Sequence, residues 1–331
     1  MGDHAYGHVP VMAGRVTDLL LPALSAAARG GQRPVLVDAT LGRAGHARTM
    51  LEACPEMVLI GIDADETAIA TGRALADEYR GRVTIAHAFY DEIAEIVADA
   101  GHRQIHGVLF DLGVSSPQLD DSSRGFSYSQ DAPLDMRMDQ SAGKTAEEVV
   151  NTYPAASLAR VLSEYGEERF ARRIAEAIVT ERAREPVTST LRLSAIVKDA
   201  IPAPARRTGG NPSKRTFQAL RIEVNDELGA LRRALPDALD LLAPGGRFAA
   251  LAYHSLEDRL VKRALVARTA DPLPPGLPVR PDDKFAGTGL AGPEFRLLTR
   301  GAERPDSEEV TGNPRAASAR LRAAERIREA S

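Results

Sequence analysis

Short apolar runs alternate with stretches of helical period between residues 35 and 111. Val35-Leu-Val-Asp38, Val58-Leu-Ile-Gly-Ile-Asp63, Val83-Thr-Ile-Ala86 and Gly107-Val-Leu-Phe-Asp111 read as strands. A glycine-containing turn follows the first, and helices are expected over 46–53 and 66–79. Strands that alternate with helices imply a parallel sheet covered on both faces. Its crossovers are right-handed, and its ligands sit at the carboxyl ends of the strands. The pattern therefore predicts an α/β fold of Rossmann-like type.

The rhythm then stops. From about residue 142 to 205 no strand pattern recurs, and helical period covers 146–153, 157–165, 167–184 and 191–200. The Pro- and Gly-containing run 202–212 reads as an exit linker. A long helix is expected over 217–235, a strand over 247–253 and a helix over 256–268. A Pro- and Gly-rich loop follows over 270–293, and the last strands are expected at 295–299 and 319–322. The chain divides accordingly into 1–140, the first part of the α/β domain; 141–212, an inserted helical domain; and 213–331, the second part. It has no internal repeat and no low-complexity tract.

Composition narrows the chemistry. The chain has 331 residues, 44% of them apolar, so it can build a sizeable core. Its one cysteine, Cys54, excludes an intramolecular disulfide and a thiolate metal cluster. No apolar run approaches a membrane span, and the first residues lack the pattern of a signal peptide, so a cytoplasmic protein is expected. The net charge of -4 argues against a uniformly basic coat, so any nucleic-acid contact must use a local patch. His46 and His254 each sit at an expected helix start, where capping or packing is the ordinary use. No histidine pair has metal-ligand spacing, and no obligatory metal is expected.

The loop Asp38-Ala-Thr-Leu-Gly42-Arg-Ala-Gly45-His46 joins the first strand to the first helix. Asp63 ends the next strand, where it would meet a ribose hydroxyl. A dinucleotide turn needs G-x-G-x-x-G, and this loop has only Gly42 and Gly45; a phosphate-binding lysine loop is also missing. A nucleoside cofactor without a pyrophosphate fits better, and S-adenosylmethionine is the expected one. Asp63 would then accept from the ribose, Ala44, Gly45 and His46 would pack on the methionine part, and Tyr90 would flank the adenine.

Asp111 ends the fourth strand and leads into Ser115-Ser116-Pro117-Gln118. An acid at a strand end followed by Ser-Pro resembles the catalytic loop of amino-methyltransferases. An exocyclic amine such as that of cytosine is a poor nucleophile, because its lone pair is delocalised into the ring. Backbone carbonyls and the hydroxyls of Ser115 and Ser116 can accept its N–H groups and aim that lone pair at a sulfonium methyl. Pro117 stiffens the loop. Asp111 is placed to bind the cofactor's amino group or to receive the proton lost after transfer. Phe126 or Tyr128 could stack on a base that is flipped out or single-stranded. Ser, Pro and Asp populate ordinary turns as well. In amino-methyltransferases a second proline and an aromatic usually follow Ser-Pro, where this chain has Gln118 and Leu119.

Further segments carry a resemblance across nearly the whole chain. They are Arg124-Gly-Phe-Ser-Tyr128, Pro133-Leu-Asp-Met-Arg-Met-Asp139, Tyr165-Gly-Glu-Glu-Arg-Phe-Ala171, Arg215-Thr-Phe-Gln-Ala-Leu-Arg-Ile222, His254-Ser-Leu-Glu-Asp-Arg259 and Asn313-Pro-Arg315. With the two loops above, the chain resembles the bacterial small-subunit ribosomal RNA cytosine-N4 methyltransferase family, also known as MraW. The resemblance implies a Rossmann-like, S-adenosylmethionine-dependent methyltransferase with an inserted helical domain. It places cofactor contacts on Ala44, Gly45, His46, Asp63, Tyr90, Asp111 and Gln118, and the family more often has Gly where Ala44 stands. The implied substrate is a cytosine in the decoding centre of 16S rRNA within the small ribosomal subunit. Arg169, Arg172, Arg173, Arg206, Arg207, Lys214 and Arg215 then become candidate phosphate contacts, although a solvated helix face would look the same. Rival readings are an amino-methyltransferase acting on DNA or protein glutamine, a methyl-donor-binding ribosome assembly factor, and a nicotinamide oxidoreductase.

Overall fold

The computed structural model describes residues 10–206, 211–269 and 292–328. The expected loop over 270–293 lies outside the described residues except for its last two positions, as do Arg207 and the side chains of Ser116 and Pro117.

The described chain forms two compact units, 1–113 with 230–331, and 114–229. The first opens with α1 (Ala13–Arg29), β1 (Val35–Asp38), α2 (Gly45–Ala53), β2 (Val58–Asp63), α3 (Glu66–Glu78), β3 (Val83–His87), α4 (Ile93–Asp99) and β4 (Ile105–Asp111). Later in the chain come α12 (Glu227–Asp240), β5 (Leu242–Ala252), α13 (Ser255–Thr269), β6 (Phe295–Leu297), α14 (Ser307–Gly312) and β7 (Arg320–Arg326). The seven strands lie in the order β3-β2-β1-β4-β5-β7-β6. β1 to β5 pair in parallel, and β7 runs antiparallel to both β5 and β6. This is a Rossmann-like α/β fold.

Period-two alternation sends side chains to both faces. Val35, Val37, Val108, Phe110 and Phe248 join one apolar cluster, which α4, α12 and α13 cover. Leu36, Leu59, Leu109, Ala249 and Leu251 join another, which α1 and α2 cover. A strand buried on both faces must be apolar along its length, and β1 is buried throughout and apolar up to its last residue, Asp38. The chain order reverses between β1 and β4, so their carboxyl ends open the crevice in which such sheets bind ligands.

The second unit contains α5 (Ser116–Asp120), α6 (Ala146–Thr152), α7 (Ala155–Gly166), α8 (Ala171–Arg182), α9 (Thr190–Ala200), α10 (Ala203–Arg206) and α11 (Lys214–Asn225). Leu134, Val150, Leu158, Leu162, Ile174, Ile178, Leu193 and Phe217 lie in its core. The helical segment expected over 141–212 falls inside this unit, which also takes in 114–140 and 213–229. Leu134 N–H donates to Thr188 O, and Thr190 N–H donates to Ala132 O, so the irregular stretch before α6 is tied to the start of α9.

The single helix expected over 217–235 is two helices. Asp226 adopts φ 48, a left-handed conformation that ends α11, and α12 starts at the next residue. A Cβ on Gly229 would come within 2.1 Å of Asp226 Oδ1, so glycine there makes room for the folded-back carboxylate. The strand expected at 247–253 starts earlier, at Leu242, and that expected at 319–322 extends to Arg326.

Candidate active site

Three neighbouring strands each end in aspartate: Asp38 on β1, Asp63 on β2 and Asp111 on β4. Local bonds fix each of them. Asp38 Oδ1 accepts from Thr40 N–H at 3.2 Å, and Thr40 Oγ1 accepts from Asp111 N–H at 2.6 Å. Asp63 Oδ2 accepts from Gly42 N–H at 2.8 Å, and its Oδ1 from Asp65 N–H at 2.9 Å. The acid thus shapes the turn after β1 while keeping lone pairs for a further donor. Asp111 Oδ1 accepts from Tyr253 Oη at 2.8 Å.

Burial makes these carboxylates reluctant anions. Asp38, only 2% exposed, is pushed up to about 7 by desolvation, helped by the neighbouring charges of Asp111 and Asp63. Desolvation likewise pushes Asp63 up to about 6 and Asp111 up to about 7. The side chain of Asp111 keeps 26% of its surface open, so water tempers that upward push without changing its direction. His46, at the start of α2, is lowered to about 4 by burial and is neutral at pH 7. Its Nε2 is buried without a hydrogen-bond partner and stands 3.6 Å from Asp111 Oδ2. A buried polar atom with no bond is costly, and this one faces an oxygen that a ligand could share.

The backbone between β1 and α2 is bent to pass close to that point. Ala44 has φ 58, a conformation that costs an L-residue about 1 kcal/mol and a glycine nothing. A Cβ on Gly45 would meet Pro10 Cγ at 2.5 Å, so the segment before α1 lies directly over this turn. Tyr90 stands just past β3 and meets Phe110 edge-on, with ring centroids 5.7 Å apart.

The remaining candidates lie in the second unit. Gln118 is buried, and its Oε1 accepts from Ser115 N–H at 2.8 Å, which closes the turn that carries the serines. Phe126 is 6% exposed, within the unit's core, with the Arg124 guanidinium 5.7 Å from its ring. Tyr128 is half-buried and meets Phe217 edge-on at 5.7 Å. Arg169, Arg172, Arg173, Lys214 and Arg215 are exposed. Arg169 stacks over Phe170, and Arg215 Nη1 donates to Glu167 O at 3.1 Å. Arg206 differs: its guanidinium donates to Ile201 O and Asp199 O and so ties α10 to the end of α9.

Sequence reasoning did not single out Asp38, Thr40 or Tyr253 as site residues. Asp38 carried the same signal as Asp63 and Asp111, an apolar run ending in Asp. Among the described residues no group of three or more His, Cys, Asp or Glu side chains could hold a metal ion. No helix among them is long and apolar enough to cross a membrane.

Comparison with known proteins identifies the site's lineage. The model of the MraW methylase family matches residues 5–327. The ribosomal RNA small subunit methyltransferase H of Thermobifida fusca is 55% identical over 330 residues, covering 99% of this chain and 96% of its own. That of Frankia alni is 59% identical over 323 residues, covering 96% and 95%. That of Salinispora arenicola is 57% identical over 327 residues, covering 99% and 85%. The chain, with its strand-end acids and the turn that follows β1, belongs to the MraW methylase family and is a methyltransferase.

Proposed function

We propose that this methyltransferase moves a methyl group from S-adenosylmethionine to the exocyclic N4 amine of one cytosine in the decoding centre of 16S rRNA. It acts on the small ribosomal subunit in the cytoplasm and needs no metal. The observation that carries the reading is the facing pair of Asp111 Oδ2 and the partnerless, buried His46 Nε2. Three acids at adjacent strand ends suit a ligand that brings positive charge, and they would repel a pyrophosphate. The donor's sulfonium and ammonium fit that field, as a nicotinamide dinucleotide does not. Ribosomal RNA of the small subunit is the substrate named for the relatives, and the exposed basic residues of the second unit suit its phosphates.

In this reading Asp63 spends its remaining lone pairs on the ribose hydroxyls, and Tyr90 flanks the adenine. Gly42 keeps Asp63 in place through its amide, and Ala44, Gly45 and His46 line the methionine part. Asp111 receives the donor's ammonium on Oδ2, and Gln118 completes the contacts. Bound there, S-adenosylmethionine supplies an electrophilic methyl. Ser115, Ser116 and Pro117 would hold the amine by its N–H groups and turn its lone pair toward the donor. Methyl transfer would leave S-adenosylhomocysteine behind and one proton in excess on the nitrogen, which would pass to solvent. Phe126 or Tyr128 stacks on the cytosine, Tyr128 being the more open of the two. Arg169, Arg173, Lys214 and Arg215 take phosphates.

The test is transfer from labelled S-adenosylmethionine to small subunits that lack the modification, with free rRNA alongside, read by nucleoside mass spectrometry. N4-methylcytosine at one site, favoured in subunits over free rRNA, is the expected product. Measurable donor binding with no label in either RNA would overturn the rRNA assignment.

A further inference from the structure

Tyr253 lies outside every motif used above, yet it makes two contacts at the site. It follows β5, whose Leu251 pairs with Asp111 in the parallel register, so it stands just beyond the strand edge next to the acid. Its hydroxyl donates to Asp111 Oδ1 at 2.8 Å. Its ring lies under Gly113: a Cβ added there would come within 3.4 Å of Tyr253 Cδ2, and Gly113 itself has φ +96, a conformation that favours glycine. Gly113 ends the first segment of the sheet unit, after which the chain continues to Ser115.

Tyr253 is itself held. Its N–H donates to Glu257 Oε2 at 2.8 Å, and His254 N–H donates to the same oxygen at 3.1 Å. Glu257 is 2% exposed and reaches back from the first turn of α13. The backbone that carries the phenol is therefore held by a buried carboxylate before any ligand arrives. Its own ionisation is pushed upward, first by burial and then by the charges of Asp111, Glu257 and Glu309, so it remains a donor at every working pH.

We propose that Tyr253 is a positioning residue for methyl transfer, occupying Asp111 Oδ1 so that Oδ2 alone faces the methyl donor beside His46, and bracing Gly113 with its ring. The inference rests on the reading of Asp111 as a donor contact. A carboxylate bonded at one oxygen cannot rotate away, so its free oxygen is aimed in advance. The same bond favours the anion, against the burial that disfavours it. The titratable groups facing Asp111 are Tyr253 from the end of β5, His46 from α2, Asp38 from β1 and Glu257 from α13.

Tyr253→Phe removes only the hydroxyl and keeps the ring against Gly113. The expected result is a fall in donor affinity of roughly tenfold, with the acid limb of the kcat/KM profile for the donor moved up by about one pH unit. KM for the small subunit should stay within about twofold, which a general loss of structure would not leave intact. Asp111→Asn, assayed alongside, separates the two claims. If Asp111→Asn binds donor as the wild type does, the reading of Asp111 falls. If Asp111→Asn loses binding while Tyr253→Phe keeps wild-type affinity and an unmoved acid limb, the role of Tyr253 alone is overturned. Should Tyr253→Phe fail to fold, 3-fluorotyrosine in place of Tyr253 keeps the bond and makes it a stronger donor. The acid limb should then move down, and an unmoved limb would again overturn the proposal.

Discussion

The sheet unit and the helical unit treat buried polar groups in opposite ways. In the helical unit most are spent on the frame. Asn225 takes Met138 N–H at 2.7 Å and gives to Met136 O at 2.8 Å. Asn151 takes Val187 N–H and gives to Glu147 O and Val187 O. Thr190 bridges Gln130 O and Ala132 N–H. The hydroxyl of Thr216 is an exception. In the sheet unit, acids gather at neighbouring strand ends, raised in pKa, beside a histidine nitrogen with no bond. Satisfied groups hold a shape, and unsatisfied groups wait for a ligand. Under the proposed function, one set of polar side chains is scaffolding and the other is the binding set.

The comparison can be broken most sharply at Asp111. Asp111→Asn should lower methyl transfer by about a hundredfold or more with the fold intact, as seen by circular dichroism and single-turnover assay. Activity within a few-fold of wild type would remove the sheet unit's distinction. Truncation in the helical core should act on stability instead. Leu162 is fully buried, and Leu162→Ala should cost about 2–5 kcal/mol in urea unfolding.

Neutralising a sheet acid should have the opposite sign. Asp38, Asp63 and Asp111 have folded-state pKa values of about 7, 6 and 7, above the ordinary 3.8. Their contribution to stability is complete below pH 3.8 and is lost as pH rises through that range. His46, lowered to about 4, opposes them: its contribution is complete above pH 6.5 and is lost as pH falls through about 4. Asp38→Asn keeps an oxygen for Thr40 N–H, so it should stabilise the ligand-free protein by about 1–2 kcal/mol at pH 8 and by less at pH 5. Equal effects at both pH values would say that burial does not hold Asp38 protonated. The smallest expected change is at the left-handed Ala44, where Ala44→Gly should stabilise by about 1 kcal/mol. A loss of stability in chemical denaturation would contradict the conformational account.

What the sequence made legible follows the same division. Strand ends are local: VLVD, VLIGID and GVLFD each announce an acid at the edge of a parallel sheet, and Gly42 and Gly45 announce the turn between. Tyr253 and Thr40 were not legible, because their bonds to Asp111 span 142 and 71 residues and depend on strand register. α1 is absent from the pattern reading, although Val16, Leu19, Leu20, Ala23, Leu24 and Ala27 keep helical period across Pro22. The break at Asp226 was hidden because apolar residues keep helical period through it, and one left-handed residue leaves no periodic trace. The stretch between α5 and α6 has no sequence period at all. Arg124, giving to Arg137 O and Met138 O, and Asn225, bonded across 89 residues to Met136, hold it in place.

The most direct test of the central claim, that the strand-end acids await a cationic methyl donor, is calorimetric titration with S-adenosylmethionine at pH 6.5 in two buffers of different ionisation enthalpy. A cation that binds ionised Asp111 beside Asp38 and Asp63 must displace protons from them. The account predicts net proton release, with affinity rising about tenfold from pH 5.5 to 7.5 and levelling above. Binding that releases no proton and holds one affinity across that range would contradict it.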